Sequence, residues 1–203
     1  MSATRPRLAA ADRRRAILET ASRAFSEGSY RGTTTAEIAR EAGVTEPILY
    51  RHFSSKRELY LAVLESAWDE IRAGWDDIVT ETDPADGWIS KMAKVALSAP
   101  GCRAVLADLW VQSLSEAYDD AEIRRCMRRQ VREVHDYVAA VIRRAQDAGT
   151  VERDRDPEAE AWIFLSVSLL VTVGRRLGGL LSSDDLDRIR TSRRTWMMAS
   201  PAA

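Results

Sequence analysis

Between Thr33 and Lys56 the chain reads TTTAEIAREAGVTEPILYRHFSSK. The run is dense in hydroxyls, with a phenol at Tyr50, an imidazole at His52 and cations at Arg40, Arg51 and Lys56. Hydroxyl, phenol and ammonium donors suit phosphate oxygens, and a guanidinium matches the paired acceptors on a guanine edge. Groupings for turnover are absent: the chain has two histidines, no Ser/Cys–His constellation and no Gly-rich phosphate loop. The chemistry expected is recognition of a polyanion, with no enzyme activity, cofactor or metal.

The elements that must position these groups are two short helices joined by a tight turn. Thr34 and Glu37 have the S/T-x-x-E spacing of a capping box, which satisfies free amides at a helix start. Ile38, Ala39 and Ala42 then share a face, and Gly43 supplies the turn. Thr45 caps the second helix, and Pro47 falls in its first turn, where a missing N–H costs no intrahelical bond. Ser55 and Glu58 repeat the capping spacing and start a helix running to about Val79. An earlier helix, about Asp12 to Glu27, carries Ile17, Leu18, Ala21, Ala24 and Phe25 at three- and four-residue steps. A basic arm from Arg5 to Asp12 precedes it.

Composition and charge agree with a two-part protein. The chain has 203 residues and a net charge of −1, but residues 1–57 carry +5 and the remainder −6. A basic head on an acidic body suits a protein of which only the head meets polyanion. Cys102 and Cys126 fit no metal or redox spacing and read as reduced packing residues. No signal-peptide pattern opens the chain, and the apolar run from Ala161 to Val173 is short of a membrane span. The expected location is the cytoplasm, with no membrane partner.

Every periodic segment of the body reads as helical, so the expected class is all-α: a three-helix head followed by a helical bundle. Helices are expected at about 84–97, 103–118, 119–148, 156–181 and 183–198, with breaks at Asp83-Pro84, Pro100-Gly101 and Gly149. The 156–181 segment leaves almost no polar face. A soluble helix of that kind is covered on both sides, here by its own core and by a second copy of the chain. Leu186, Ile189, Trp196 and Met197 of the last helix are expected to extend that homodimer patch.

Residues 12–65 resemble the TetR family of one-component transcriptional regulators. Three pieces carry the resemblance: RRRAILETASRAFSEGSY, TTTAEIAREAGV and TEPILYRHFSSKRELY. It implies a DNA-binding domain at 1–57 and an effector-binding, dimerisation domain at 58–203. It also implies a recognition helix in the major groove, with Thr45, Glu46, Pro47 and Ile48 near base edges and Arg51 one turn on. Tyr50 and His52 match the family's phosphate-contacting positions. Thr34 and Lys56 sit at helix starts suited to the same task, and Thr33 can hydroxyl-bond the backbone beside it. Glu46 has two open readings: an acceptor for cytosine N4, or a carboxylate placed for the helix dipole. Arg51 is equally open between guanine and phosphate, whereas Leu49 and Phe53 read as packing residues.

In such a protein the body holds a small-molecule effector, which releases a repressor from a near-palindromic operator. Its expected lining is Trp88, Met92, Trp110, Leu114, Tyr118, Met127, Tyr137 and Phe164, although aromatics at helical spacing read first as core. The acidic body favours a neutral or cationic lipophilic ligand. Activation in place of repression, or effector-independent DNA binding, are the alternatives. His135 is isolated and reads as structural, and the arginines from Arg124 to Arg132 read as a solvated face.

Overall fold

The computed structural model describes residues 10–84, 87–98 and 102–198. The arm at 5–9, the Pro100-Gly101 break and the Cys102 side chain lie outside what it describes. The described chain runs α1 (Ala10–Gly28), α2 (Thr35–Glu41), α3 (Glu46–His52), α4 (Lys56–Glu81), α5 (Trp88–Ser98), α6 (Cys102–Asp119), α7 (Ala121–Asp147), α8 (Pro157–Arg176) and α9 (Ser183–Met197). It divides after Ala67 into two compact units, the boundary falling inside α4.

In the first unit the capping box forms as its spacing dictates. Thr34 Oγ1 accepts from Glu37 N at 3.2 Å, and Glu37 Oε2 accepts from Thr34 N at 2.9 Å. Gly43 adopts φ 70°, the left-handed turn an L side chain resists. Two expectations shift. Thr45 is the N-cap of α3 by backbone, but its hydroxyl makes no capping bond. At α4, Glu58 takes the backbone N–H and hydroxyl of Ser54, while Ser55 Oγ accepts from Glu58 N. The cap is therefore shared between adjacent serines. Ile17, Phe25, Ile38, Leu49, Phe53, Leu59 and Tyr60 are fully buried or nearly so. The rings of Phe25 and Tyr60 meet edge-on at 5.0 Å.

In the second unit a core of Trp75, Trp88, Met92, Val138, Ile142, Ala145 and Ala161 joins the end of α4 to α5, α7 and α8. Two of its indoles are satisfied by backbone: Trp75 Nε1 donates to Met92 O at 3.1 Å and Trp88 Nε1 to Thr82 O at 2.9 Å. Asp120, Asp156 and Ser182 cap α7, α8 and α9. After Gly149, a single antiparallel bridge pairs Val151 with Met198, and Glu152 N donates to Met197 O at 3.0 Å. That bridge fastens the end of α9 over the end of α7.

Two neighbouring helices differ from expectation. α8 is long and apolar enough, by length and composition, to cross a membrane, with a mean hydropathy of 1.3. Position along it separates two faces. Glu160, Phe164, Val167 and Ser168 turn inward to line a cavity, and Trp162, Leu169 and Leu170 are exposed. α9 is turned inward more than its pattern suggests: Met197 is buried and Ile189 lines the same cavity.

Candidate functional site

The first unit presents a shallow recess lined by Arg13, Gly43, Val44, Thr45, Ile48, Arg51 and His52. It exists because α3 buries Leu49 while its other faces stay accessible: Thr45, Pro47, Tyr50 and Arg51 are exposed, and Glu46 and His52 are half-buried. The free Thr45 hydroxyl and the exposed Arg51 fork thus stand together at one edge. Lys56 opens α4 with its ammonium 4.7 Å from the Tyr30 ring centre, a cation–π contact that restrains a flexible side chain.

Two of the nine expected contact residues sit differently. Thr33 is only 6% exposed, and its hydroxyl donates to Ala24 O at 3.1 Å. It fastens the turn to α1, so it faces the protein and not a ligand. Glu46 is also engaged. Its carboxylate accepts from Thr35 Oγ1 at 2.6 Å, and Thr35 Oγ1 lies 3.1 Å from Tyr50 Oη. Because Thr35 spends its one proton on the carboxylate, the Tyr50 hydroxyl must be the donor in that second bond. Thr35 was not singled out in the sequence. Its signal, a third hydroxyl in TTT, is indistinguishable from its neighbours until α2 and α3 pack.

The second unit contains a cavity of about 330 Å³ bounded by α5, α7, α8 and α9. Of the eight residues expected to line an effector pocket, Trp88 and Phe164 do so. Met92 is fully buried in the core beneath it. Tyr137 stacks at 5.6 Å on Trp75, and its hydroxyl donates to Asp76 Oδ1 at 2.7 Å. Burial first, then that carboxylate, raise its phenol above the usual range. Met127 is buried against Ser113, whose hydroxyl reaches its sulfur at 2.8 Å. Trp110 is half-buried outside the lining, Leu114 is exposed, and Tyr118 is 85% exposed. Helical spacing placed these residues on one stripe of α6. The stripe's direction follows from helix packing, which spacing alone does not encode.

Sequence reasoning did not find the cavity's polar groups. Glu160 is 7% exposed; its Oε1 accepts from Trp196 Nε1 at 2.9 Å, and its Oε2 pairs with the Arg193 guanidinium. Burial, then the nearby Arg155, lower the Arg193 pKa below the usual guanidinium value. Arg190 and Arg194 also line the space. The pairing joins residues more than thirty positions apart, and no local pattern announces it.

His135 is buried as expected, with Nδ1 2.9 Å from Asp136 Oδ1 and its ring 4.3 Å from that of Trp162. Asp136 and Glu158 flank it closely enough to share an ion, but Glu158 is already paired with Arg143. In the arginine cluster, Arg125 pairs with Glu122 and Arg129 with Glu133 on an exposed face.

Residues 17–63 match the profile of bacterial regulatory proteins of the tetR family, and residues 85–189 that of the C-terminal domain of BetI-type transcriptional repressors. The chain is 47% identical over 68 residues to the HTH-type transcriptional activator FasR of Mycolicibacterium smegmatis, a match spanning 34% of this chain and 31% of FasR. It is 27% identical over 144 residues to the HTH-type transcriptional regulator BetI of Rhizobium meliloti, covering 70% of each. Among solved structures, a TetR-family transcriptional regulator from Rhodococcus superposes with a TM-score of 0.81 at 21% identity, over 93% of this chain and 100% of that one. A transcriptional regulator from Saccharomonospora viridis in complex with choline superposes with a TM-score of 0.75 at 22% identity, over 94% and 100%. At these identities the structural likeness establishes the fold.

Proposed function

Because the chain belongs to the TetR family of DNA-binding transcriptional regulators, we propose that it is a homodimeric repressor released from its operator by a small effector. Residues 1–57 contact DNA, and residues 58–203 bind the effector and dimerise. The observation that carries the DNA half is α3 itself, with Leu49 buried and Thr45, Pro47, Tyr50 and Arg51 exposed along one edge. Thr45 and Arg51 face base edges, His52 and Lys56 hold phosphates, and Tyr50 and Thr34 join them by turning their hydroxyl protons from Thr35 and Glu37 to a phosphate oxygen. Two such heads, one helical turn of DNA apart, read a near-palindrome. The effector need only favour the conformation that does not bind DNA by a few kcal/mol.

The effector site is the cavity lined by Trp88, Phe164 and Glu160. Tyr118 and Leu114 are left out of it because they face solvent. Activation is the second reading, favoured by the likeness of the head to FasR, a named activator. Sequencing the genomic fragments retained by the purified protein, then measuring expression of the adjoining genes in a deletion strain, tests both. A shared near-palindrome with raised expression supports repression. Lowered expression supports activation, and an unenriched fragment pool sinks the DNA-binding assignment.

A further inference from the structure

The groups around the cavity decide the sign of charge its ligand can carry, and this step rests on reading the cavity as the effector site. Glu160 is the one carboxylate among the described lining residues, and both of its oxygens are taken by Trp196 and Arg193. Its remaining lone pairs lie in a site only 7% exposed and beside the Arg193 guanidinium, so a cation drawn to them would crowd a like charge. Of the aromatic faces, the usual alternative for a quaternary ammonium, Trp88 in the wall and Trp196 behind it already carry a cation, which leaves Phe164 as the described lining ring without one. The Arg144 guanidinium lies 5.2 Å from the Trp88 ring centre, and that of Arg155 lies 3.7 Å from the Trp196 ring centre. A ligand cation at either ring would meet a like charge at short range.

Positive charge, by contrast, is in surplus. Arg190 and Arg194 sit one turn apart on α9 and both reach the cavity. Arg190 pairs with Asp187 at 2.7 Å, while the Arg194 guanidinium has no ion-pair or hydrogen-bond partner among the described residues. Most of the rest of the wall, including Ile142, Ile163, Phe164, Val167 and Met197, is apolar, and Ser90, Thr150 and Ser168 add hydroxyls. We propose that the cavity takes a small apolar acid, with its hydrocarbon part against α7 and α8 and its carboxylate on the Arg194 fork at the α9 rim. A guanidinium suits that role because its planar donors meet a carboxylate in a bidentate pair. The negative body charge therefore misleads as a guide to the ligand, since the local lining reverses it.

The test uses the full chain and three probes of equal chain length: octanoate, octan-1-ol and octyltrimethylammonium. Each is titrated by calorimetry and scored for release of operator DNA. Octanoate is expected to bind tightest and to release the operator. Arg194→Gln should cost roughly tenfold or more in octanoate affinity, as for a lost charge-assisted pair, and leave octan-1-ol binding unchanged. Val167→Trp, which fills the cavity, should abolish octanoate binding. Preference for the ammonium or the alcohol, or an octanoate affinity indifferent to Arg194→Gln, overturns the acid assignment and leaves the cavity as an effector site. Octanoate binding that survives Val167→Trp overturns it too, by placing the ligand elsewhere. If none of the three binds while operator binding is intact, the effector-site reading falls, and the acid assignment falls with it.

Discussion

Glu46 shows how one side chain changes role once its partners are known. In the sequence it is an acidic residue at the mouth of a DNA-reading helix, equally a base reader or a dipole partner. In the structure its carboxylate is held by Thr35, which in turn accepts from Tyr50, so it braces α3 against α2. Glu46→Ala should therefore weaken every operator by a similar factor, leaving base preference intact in a selection from a randomised operator library. A relaxed preference at one position would restore the base-reading role. Tyr50 and Lys56 separate by charge. Tyr50→Phe removes one neutral donor, whose proton passes from Thr35 to a phosphate on binding, and should cost about 1 kcal/mol on all operators, with the salt dependence unchanged. Lys56→Ala should reduce the slope of log affinity against log salt by about one. Filter binding across a salt series distinguishes them, and an unaltered slope in Lys56→Ala would remove that lysine from the phosphate set.

At the scale of elements, the helix boundaries were legible because caps are local chemistry. Thr34 with Glu37 and Ser55 with Glu58 each mark a start that the structure reproduces. Facing directions were less legible. Leu114 and Tyr118 share a stripe with Trp110, yet the packing of α6 leaves them in solvent. Ile189 and Met197 of α9, expected on a subunit interface, turn inward. The caps also carry a pH dependence. The Thr34 backbone bond, then its hydroxyl, hold the Glu37 carboxyl below the ordinary glutamate value. A carboxyl depressed in the folded state contributes stability above its unfolded pKa, and that contribution is lost as pH falls through the folded value. Glu37→Gln keeps an acceptor but does not titrate. Its melting temperature should lie below that of the native protein at pH 7, and the gap should close below about pH 4. A gap that stays constant from neutral to acid pH would show that the carboxylate's charge contributes nothing to the cap. Thr34→Ala should cost about 1 kcal/mol at neutral pH.

For the whole molecule, the open question is what covers the outer face of α8. Trp162, Leu169 and Leu170 are 39%, 36% and 44% exposed, and Leu177 and Leu180 continue the apolar surface beyond the helix end. A contiguous patch of this kind marks an interaction surface. A second copy fits better than a lipid phase, since the opposite face of the same helix carries the buried Glu160 and shapes a cavity with α9. The two faces also make separate tasks separately testable. Leu170→Glu places a charge at the centre of the patch and leaves the cavity wall untouched. It should shift the protein from dimer to monomer in light scattering and reduce operator affinity by two orders of magnitude or more. The salt slope should fall to about half, because one head neutralises half the phosphates of two. Octanoate binding should persist, since α8 turns its other face to the cavity. A Leu170→Glu protein that remains dimeric would move the subunit contact away from α8, and the apolar face would then need another occupant.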